Sequence, residues 1–254
     1  MDSNESTSGA LHGRTAIVTG AGRGIGRGIA TALHARGARV AVVDIDPETC
    51  ASTAAALGPG AVGLTADVSS STAVADMVAG ALDAFGSIDI LVNNAGIDRA
   101  VPILEMSEEE WDRLMDINLK SVFLCTRAVL PSMIERGGGC VISTSSIVAR
   151  QGAMNGGIHY AASKGAILAF TKTLARQMAA KGIRANAIAP GVVDTDLIRE
   201  HMPEEMRQKV MAAIPMGRLA RTDEIGGLVA YLASDEARYV TGATFDMNGG
   251  FWMG

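Results

Sequence analysis

The chain has 254 residues, 48% hydrophobic and 19% charged. That is enough apolar mass for a substantial core, and it excludes a disordered chain or a small disulfide scaffold. Twenty-two Lys and Arg against 27 Asp and Glu leave a net charge of −5, without the basic footprint of a general nucleic-acid binder.

Residues 1–10 read as a flexible tail, since Met1–Gly9 is polar and lacks the apolar stretch of a secretory signal. From residue 11 on, short β-branched runs alternate with longer Ala/Leu/Met-rich stretches of helical spacing. The predicted strands are Thr15–Thr19, Val40–Asp44, Val62–Thr65, Ile88–Asn93, Cys140–Thr144, Arg184–Ile188 and Thr244–Met247. The predicted helices are Ile25–Arg36, Pro47–Leu57, Ser70–Phe85, Ser107–Glu135, His159–Ala180 and Asp223–Ala233. This alternation predicts an α/β, doubly wound domain over residues 11–254, with a seven-stranded, mostly parallel sheet and helices on both faces. An interval at about 192–216 breaks the rhythm and carries an amphipathic piece, Glu204–Ala213. It reads as an insert beyond a strand's carboxyl end, where open α/β sheets bind ligands.

Apolar runs such as Ala41–Val43 and Ser121–Cys125 are too short to span a bilayer. Cys50, Cys125 and Cys140 form no C-x-x-C pair, which fits a reducing compartment. The expectation is a cytoplasmic protein with no nucleic-acid or membrane partner. The four scattered histidines offer no zinc spacing, and no metal is expected.

Thr19-Gly20-Ala21-Gly22-Arg23-Gly24-Ile25-Gly26 follows a strand and opens a helix. Glycines there allow a tight turn, and the helix N-terminus offers free N–H groups and partial positive charge to a pyrophosphate. The spacing is G-x-x-x-G-x-G rather than G-x-G-x-x-G, and no Gly-Lys dipeptide exists for a Walker A loop. Asp44 ends the second strand, where a carboxylate accepts from a ribose 2′-OH and repels a 2′-phosphate, favouring NAD over NADP. Arg23 pulls weakly the other way. A second signal is Tyr160-Ala161-Ala162-Ser163-Lys164, which puts a phenol and an amine one helical turn apart. A nearby ammonium favours the phenolate and suits the tyrosine to proton transfer.

These two motifs occur in order with Asn93-Asn94-Ala95-Gly96, Asn118, Ser145-Ser146 and Pro190-Gly191. Together they resemble the short-chain dehydrogenase/reductase family over nearly the whole chain, and the resemblance implies a Rossmann-type fold. It also implies roles. Tyr160 resembles the catalytic acid/base, and Lys164 the residue that binds the nicotinamide ribose and tunes Tyr160. Ser146 resembles the serine on the substrate oxygen, with Ser143 and Ser145 as close neighbours. Asn118 resembles the asparagine whose backbone holds a proton-relay water. For the cofactor, taken to be NAD, the implied contacts are Gly20, Arg23, Gly24, Ile25, Gly26, Asp44 and Ile45. Asp67 and Val68 are implied at the adenine, Asn94, Ala95 and Gly96 at its ribose, and Pro190, Gly191, Val193 and Thr195 at the carboxamide. Family members are usually tetramers, so a homo-oligomer is expected.

Pocket candidates are Ile97–Glu105, Arg150–His159, Leu197–Met216 and Phe251–Met253. The methionine-rich insert reads either as a flap that moulds to apolar substrates or as a segment packed onto the domain. The small-residue face of Ala161, Gly165, Ala166 and Ala169 suits close helix packing, between protomers or within the core. The expected reaction is interconversion of a small secondary alcohol and a ketone. Alternatives are an NADPH-dependent 3-oxoacyl-thioester reductase and a non-catalytic dinucleotide-binding regulator.

Overall fold

The computed structural model describes residues 9–153 and 157–254. The expected tail therefore lies outside the described residues apart from Gly9 and Ala10, as do residues 154–156 of one pocket candidate. Leu11 is already buried in the core.

In chain order the elements are β1 (Thr15–Thr19), α1 (Gly24–Ala35), β2 (Arg39–Asp44), α2 (Pro47–Leu57), β3 (Ala61–Thr65), α3 (Ser71–Phe85) and β4 (Ile90–Asn93). Then come α4 (Glu108–Met115), a π-helical turn (Asp116–Lys120), α5 (Ser121–Glu135), β5 (Gly139–Thr144), α6 (Val148–Gln151) and α7 (Ile158–Met178). The rest is β6 (Ile183–Pro190), α8 (Asp196–His201), α9 (Glu204–Ala213), α10 (Thr222–Ala233) and β7 (Thr244–Met247). The sheet runs β3-β2-β1-β4-β5-β6-β7 with every neighbouring pair parallel. The expected doubly wound α/β fold is present.

Strand residues alternate between two apolar layers, not between core and water. Val18, Val40, Val42, Val92 and Ile142 face α1 and α10, meeting Ile29, Leu33, Ile225 and Val229. Ile17, Ala41, Val43, Leu91 and Val141 face the other way, onto Met77, Val78, Leu124, Val129 and Leu174. This is why the inner strands read as unbroken β-branched runs. The run Glu108–Glu135 is long and apolar enough to cross a membrane by length and composition, unlike the short runs read from the sequence. Its apolar side is occupied, with Val122, Leu124, Cys125, Val129 and Met133 buried in the domain.

Strand order reverses between β1 and β4, leaving a crevice at their carboxyl ends. The glycine loop, Asn93–Gly96, the end of β5 and the insert all emerge on that side.

Candidate active site

The glycine loop leaves β1 at Gly20, in the left-handed region (φ +61°), and enters α1. A Cβ on Gly26 would collide with the Gly20 carbonyl and lie 2.6 Å from Asn94 Nδ2, so only glycine lets the helix start this close to the turn. Arg23 is the N-cap residue of α1 and gives no side-chain cap, so the first-turn amides remain available to an anion. Asp44 Oδ2 accepts from Gly22 N–H at 2.9 Å and Oδ1 from Asp46 N–H at 3.2 Å. The carboxylate is thus fixed at the rim of the loop. Ile45 beside it is 66% exposed, an apolar surface at the same rim.

Other expected cofactor positions gather around this crevice. Thr195 caps α8, with Oγ1 accepting from Ile198 N–H, and its methyl lies 3.5 Å from where Gly24 would carry a Cβ. Arg27 on α1 pairs with Asp196 at 3.2 Å. Pro190 accepts from Ile147 N–H, Gly191 donates to Met247, and Val193 is buried. Asp67 forms a local turn by accepting from Ser69 N–H and Oγ–H, while Val68 enters the core. Asn94 also has a structural part: its Nδ2 donates to the carbonyls of Thr19 and Gly20 at 3.1 Å. Its side chain braces the glycine loop, because two parallel strand ends leave those carbonyls unpaired. The cradle of glycine backbone, free helix amides and a rim carboxylate fits a dinucleotide.

The catalytic candidates converge one strand further along. Lys164 is 4% exposed and its Nζ donates to Thr144 O at 2.9 Å. The ammonium stands 5.7 Å from the Tyr160 ring centre. Burial pulls Lys164 down to about 8, opposed by the Asp98 carboxylate. Desolvation pushes Tyr160 up to about 12, with Asp98 adding to the rise and a hydrogen bond to Ser146 opposing it. In the protein alone, burial outweighs the lowering expected from Lys164. The three serines are separated by the geometry. Ser146 faces Tyr160, Ser145 Oγ donates to Lys164 O at 2.7 Å, and Ser143 lies 3.5 Å from Asn93 Nδ2.

Asn118 sits fully buried in the π turn, where the helix expected over Ser107–Glu135 widens. Its Oδ1 accepts from Ile97 N–H at 2.8 Å, and its Nδ2 donates to Ile97 O at 2.9 Å and Ser163 Oγ at 3.3 Å. Such turns are frequent at functional sites, because the widened ladder frees backbone groups. Gly96 lets this layer close: a Cβ there would lie 3.2 Å from Asn118 Oδ1 and 3.4 Å from Lys164 Nζ.

Around the rim, Arg150 pairs with Asp246 at 3.2 Å and stacks 5.2 Å over Trp252. His159 is fully buried, stacks on Trp111, and lies 3.8 Å from Glu110. Neither points a free charge at the site. In the insert, α8 and α9 contain no buried residue, and Leu197, Met206 and Met216 are 54, 41 and 63% exposed. At the two ends of the insert Val193 and Ile214 are buried, so its helices are exposed between packed anchors. Asp98 lies in the pocket candidate Ile97–Glu105, where the sequence reading gave it no individual role.

Comparison with known proteins agrees with this geometry. Residues 20–252 match a family described as enoyl-(acyl carrier protein) reductase. The 3-oxoacyl-(acyl-carrier-protein) reductase FabG of Escherichia coli (strain K12) is 41% identical over 244 residues, covering 96% of this chain and 99% of the relative. The sorbitol dehydrogenase of Cereibacter sphaeroides is 40% identical over 254 residues, with 96 and 99% covered. A crystal structure from Brucella melitensis, described as a short-chain dehydrogenase/reductase and glucose/ribitol dehydrogenase, superposes with a TM-score of 0.91 at 36% identity, covering 97% of this chain and 100% of that one. This chain therefore belongs to the short-chain dehydrogenase/reductase family, oxidoreductases that act on CH–OH groups with a nicotinamide dinucleotide.

Proposed function

We propose that the protein is an NAD(H)-dependent oxidoreductase that interconverts a secondary alcohol and a ketone. The observation that carries this reading is the meeting of Ser146, Tyr160 and Lys164 beside a glycine cradle whose rim holds Asp44. A dinucleotide bound in that cradle supplies the hydride acceptor or donor. Tyr160 Oη takes the alcohol proton in oxidation and returns it in reduction. Ser146 hydrogen-bonds the substrate oxygen and steadies its charge. Lys164 stabilises the phenolate when its ammonium turns from Thr144 O, and Asn118 keeps the Ile97 loop closed over it.

Support for NAD comes from Asp44, since a 2′-phosphate would meet this fixed carboxylate at close range. A second reading, 3-oxoacyl-thioester reduction with NADPH, is favoured by the name of the 41% identical relative. One titration separates the two. Protein fluorescence is expected to be quenched by NADH at concentrations at least about tenfold below those needed for NADPH. Asp44→Ser should erase the gap, and Tyr160→Phe should keep the binding while lowering turnover by about 10²–10⁴-fold. Equal affinity for both cofactors in the unaltered protein would favour the thioester reading.

We also infer a homo-oligomer. The small-residue face of α7 is not core: Ala169 is exposed, and nothing lies within 4 Å of where Gly165 would carry a Cβ. Beside it a groove of about 500 Å³ is lined by Met115, Leu119, Phe123, Ala166 and Phe170, with Phe123 45% exposed. A second copy laying the same helices there is the occupant that buries both faces at once. Light scattering should give a multiple of the 26.2 kDa chain mass, and Phe123→Glu should lower it.

A further inference from the structure

Two pocket candidates, Phe251–Met253 after β7 and Arg150 after Ser146, have no part in the mechanism above, and the structure joins them. After β7 the chain folds into a tight turn. Asn248 is 8% exposed; its Oδ1 accepts from Gly250 N–H at 2.9 Å and Trp252 N–H at 3.4 Å, and its Nδ2 donates to Trp252 O at 3.1 Å. Gly249 and Gly250 lie in the left-handed region (φ +63° and +86°), which lets the turn close. It rests on the Pro190-Gly191 segment, since a Cβ on Gly191 would lie 3.0 Å from Asn248 Cα, and on the end of the insert, where Met216 N–H donates to Gly249 O at 3.1 Å.

A third contact of this turn leads to Ser146. The Trp252 ring lies 5.2 Å from the Arg150 guanidinium, which donates through Nε and Nη2 to the two oxygens of Asp246 at 3.2 and 3.3 Å. A guanidinium held by two N–H bonds to one carboxylate and by an indole is fixed in orientation as well as in place. Arg150 belongs to α6, a single turn wound directly on Ser146. Ala149 N–H donates to Ser146 O at 3.0 Å, and Val148 N–H donates to Ser146 Oγ at 3.3 Å, so α6 holds the hydroxyl itself. The four residues of α6 include none that is fully buried, and so short a helix has little stability of its own. Arg150 ties it to β7, two strands across the sheet from β5. We propose that Arg150 is a positioning residue: clamped between Asp246 and Trp252, it holds α6, and through α6 it aims the Ser146 hydroxyl at the substrate oxygen. A donor aimed at developing charge works only if it is placed beforehand, so loosening it costs rate more than binding. The inference rests on the proposed role of Ser146 and adds the turn after β7 to the same site.

The test uses full-length protein and probes for both readings of the function: 2,3-butanediol and sorbitol with NAD, and acetoacetyl-coenzyme A with NADPH. On the probe that turns over, Arg150→Met should lower kcat about tenfold while KM stays within about threefold and the Kd of the reduced cofactor within about twofold. Arg150→Lys, which keeps the charge but not the paired donors, should recover part of the loss. Asp246→Asn, which keeps the shape of the partner and removes its charge, should lower kcat in the same way. In a Ser146→Ala background Arg150→Met should cost less than about twofold, because no hydroxyl is left to place. Hydrogen exchange over residues 146–152 reads the clamp without turnover: Arg150→Met and Asp246→Asn should each speed it about tenfold and leave residues 24–35 unchanged. A kcat loss that persists undiminished on Ser146→Ala, or exchange that neither variant alters, would overturn the clamp and leave the function standing. Faster exchange in a protein that turns over none of the probes would sustain the clamp on Ser146 and overturn the proposed reaction.

Discussion

The two walls of the crevice are built on different terms. On the cofactor side, α1 buries Gly26, Ile29, Ala30 and Leu33 against the sheet, and the loop before it is held by backbone contacts that no side chain could enter. On the substrate side, α8 and α9 contain no fully buried residue. They are tied down by Arg199 and Arg207 on Asp194 and by Arg27 on Asp196. Exposed ion pairs of this kind each stabilise by at most about 1 kcal/mol. One wall is close-packed backbone; the other is anchored at its ends by Val193, Ile214 and backbone hydrogen bonds to Ala220 and Gly249, with ion pairs near the surface holding the helices between. A hydride donor needs fixed placement, whereas an apolar flap gains by adapting to its substrate.

The sharpest way to test this contrast is to alter the rigid wall where it meets the chemistry. Lys164→Met should reduce turnover by about 10²–10³-fold. The same change should raise stability near neutral pH, because a buried ammonium held down to about 8 is a cost of folding, of order 1–3 kcal/mol. The sign follows from linkage. A lysine whose folded value lies below its unfolded one binds more protons when unfolded, so the unaltered protein should gain stability as pH rises from about 8 to about 10.5. The melting gap between the two proteins should close over that window; a gap constant with pH would show that Lys164 is not desolvated.

Gly26→Ala probes the wall's packing. Its Cβ would meet Gly20 O and Asn94 Nδ2, so urea unfolding should show a loss of about 1–3 kcal/mol together with weakened NADH binding. A neutral result would mean that the loop relaxes and the rigid picture fails. The smallest effect is expected across the crevice. Leu197→Ala, Met206→Ala and Met216→Ala should each change stability by less than about 0.5 kcal/mol, while altering KM for apolar substrates. A larger loss of stability from any of these would place the flap in the core after all.

Most of the rigid wall was legible in the sequence. The glycine run, Asp44 at a strand end and Tyr160 four residues before Lys164 are local patterns, and local backbone geometry fixes where they go. Other features depended on contacts distant in the chain. The strand predicted from Ile88 begins at Ile90, because Asp89 and Ser87 are drawn into hydrogen bonds with Thr15. The helix predicted over Ser107–Glu135 contains a π turn, because Asn118 spends its side chain on Ile97 and Ser163. Three nearby serines, Ser143, Ser145 and Ser146, could be told apart only once β5 had ended and the chain had turned toward α7.

The residue order alone determined the alternation of strands and helices, the phosphate-cradling loop and the tyrosine–lysine pair, because these follow from periodicity and from turns a few residues long. Packing alone decided the exposure of the insert's helices and the lift of Tyr160 to about 12. Those depend on which groups lose water and which charges stand nearby, quantities that exist only after the sheet has brought residues 20, 98, 146 and 164 to one edge.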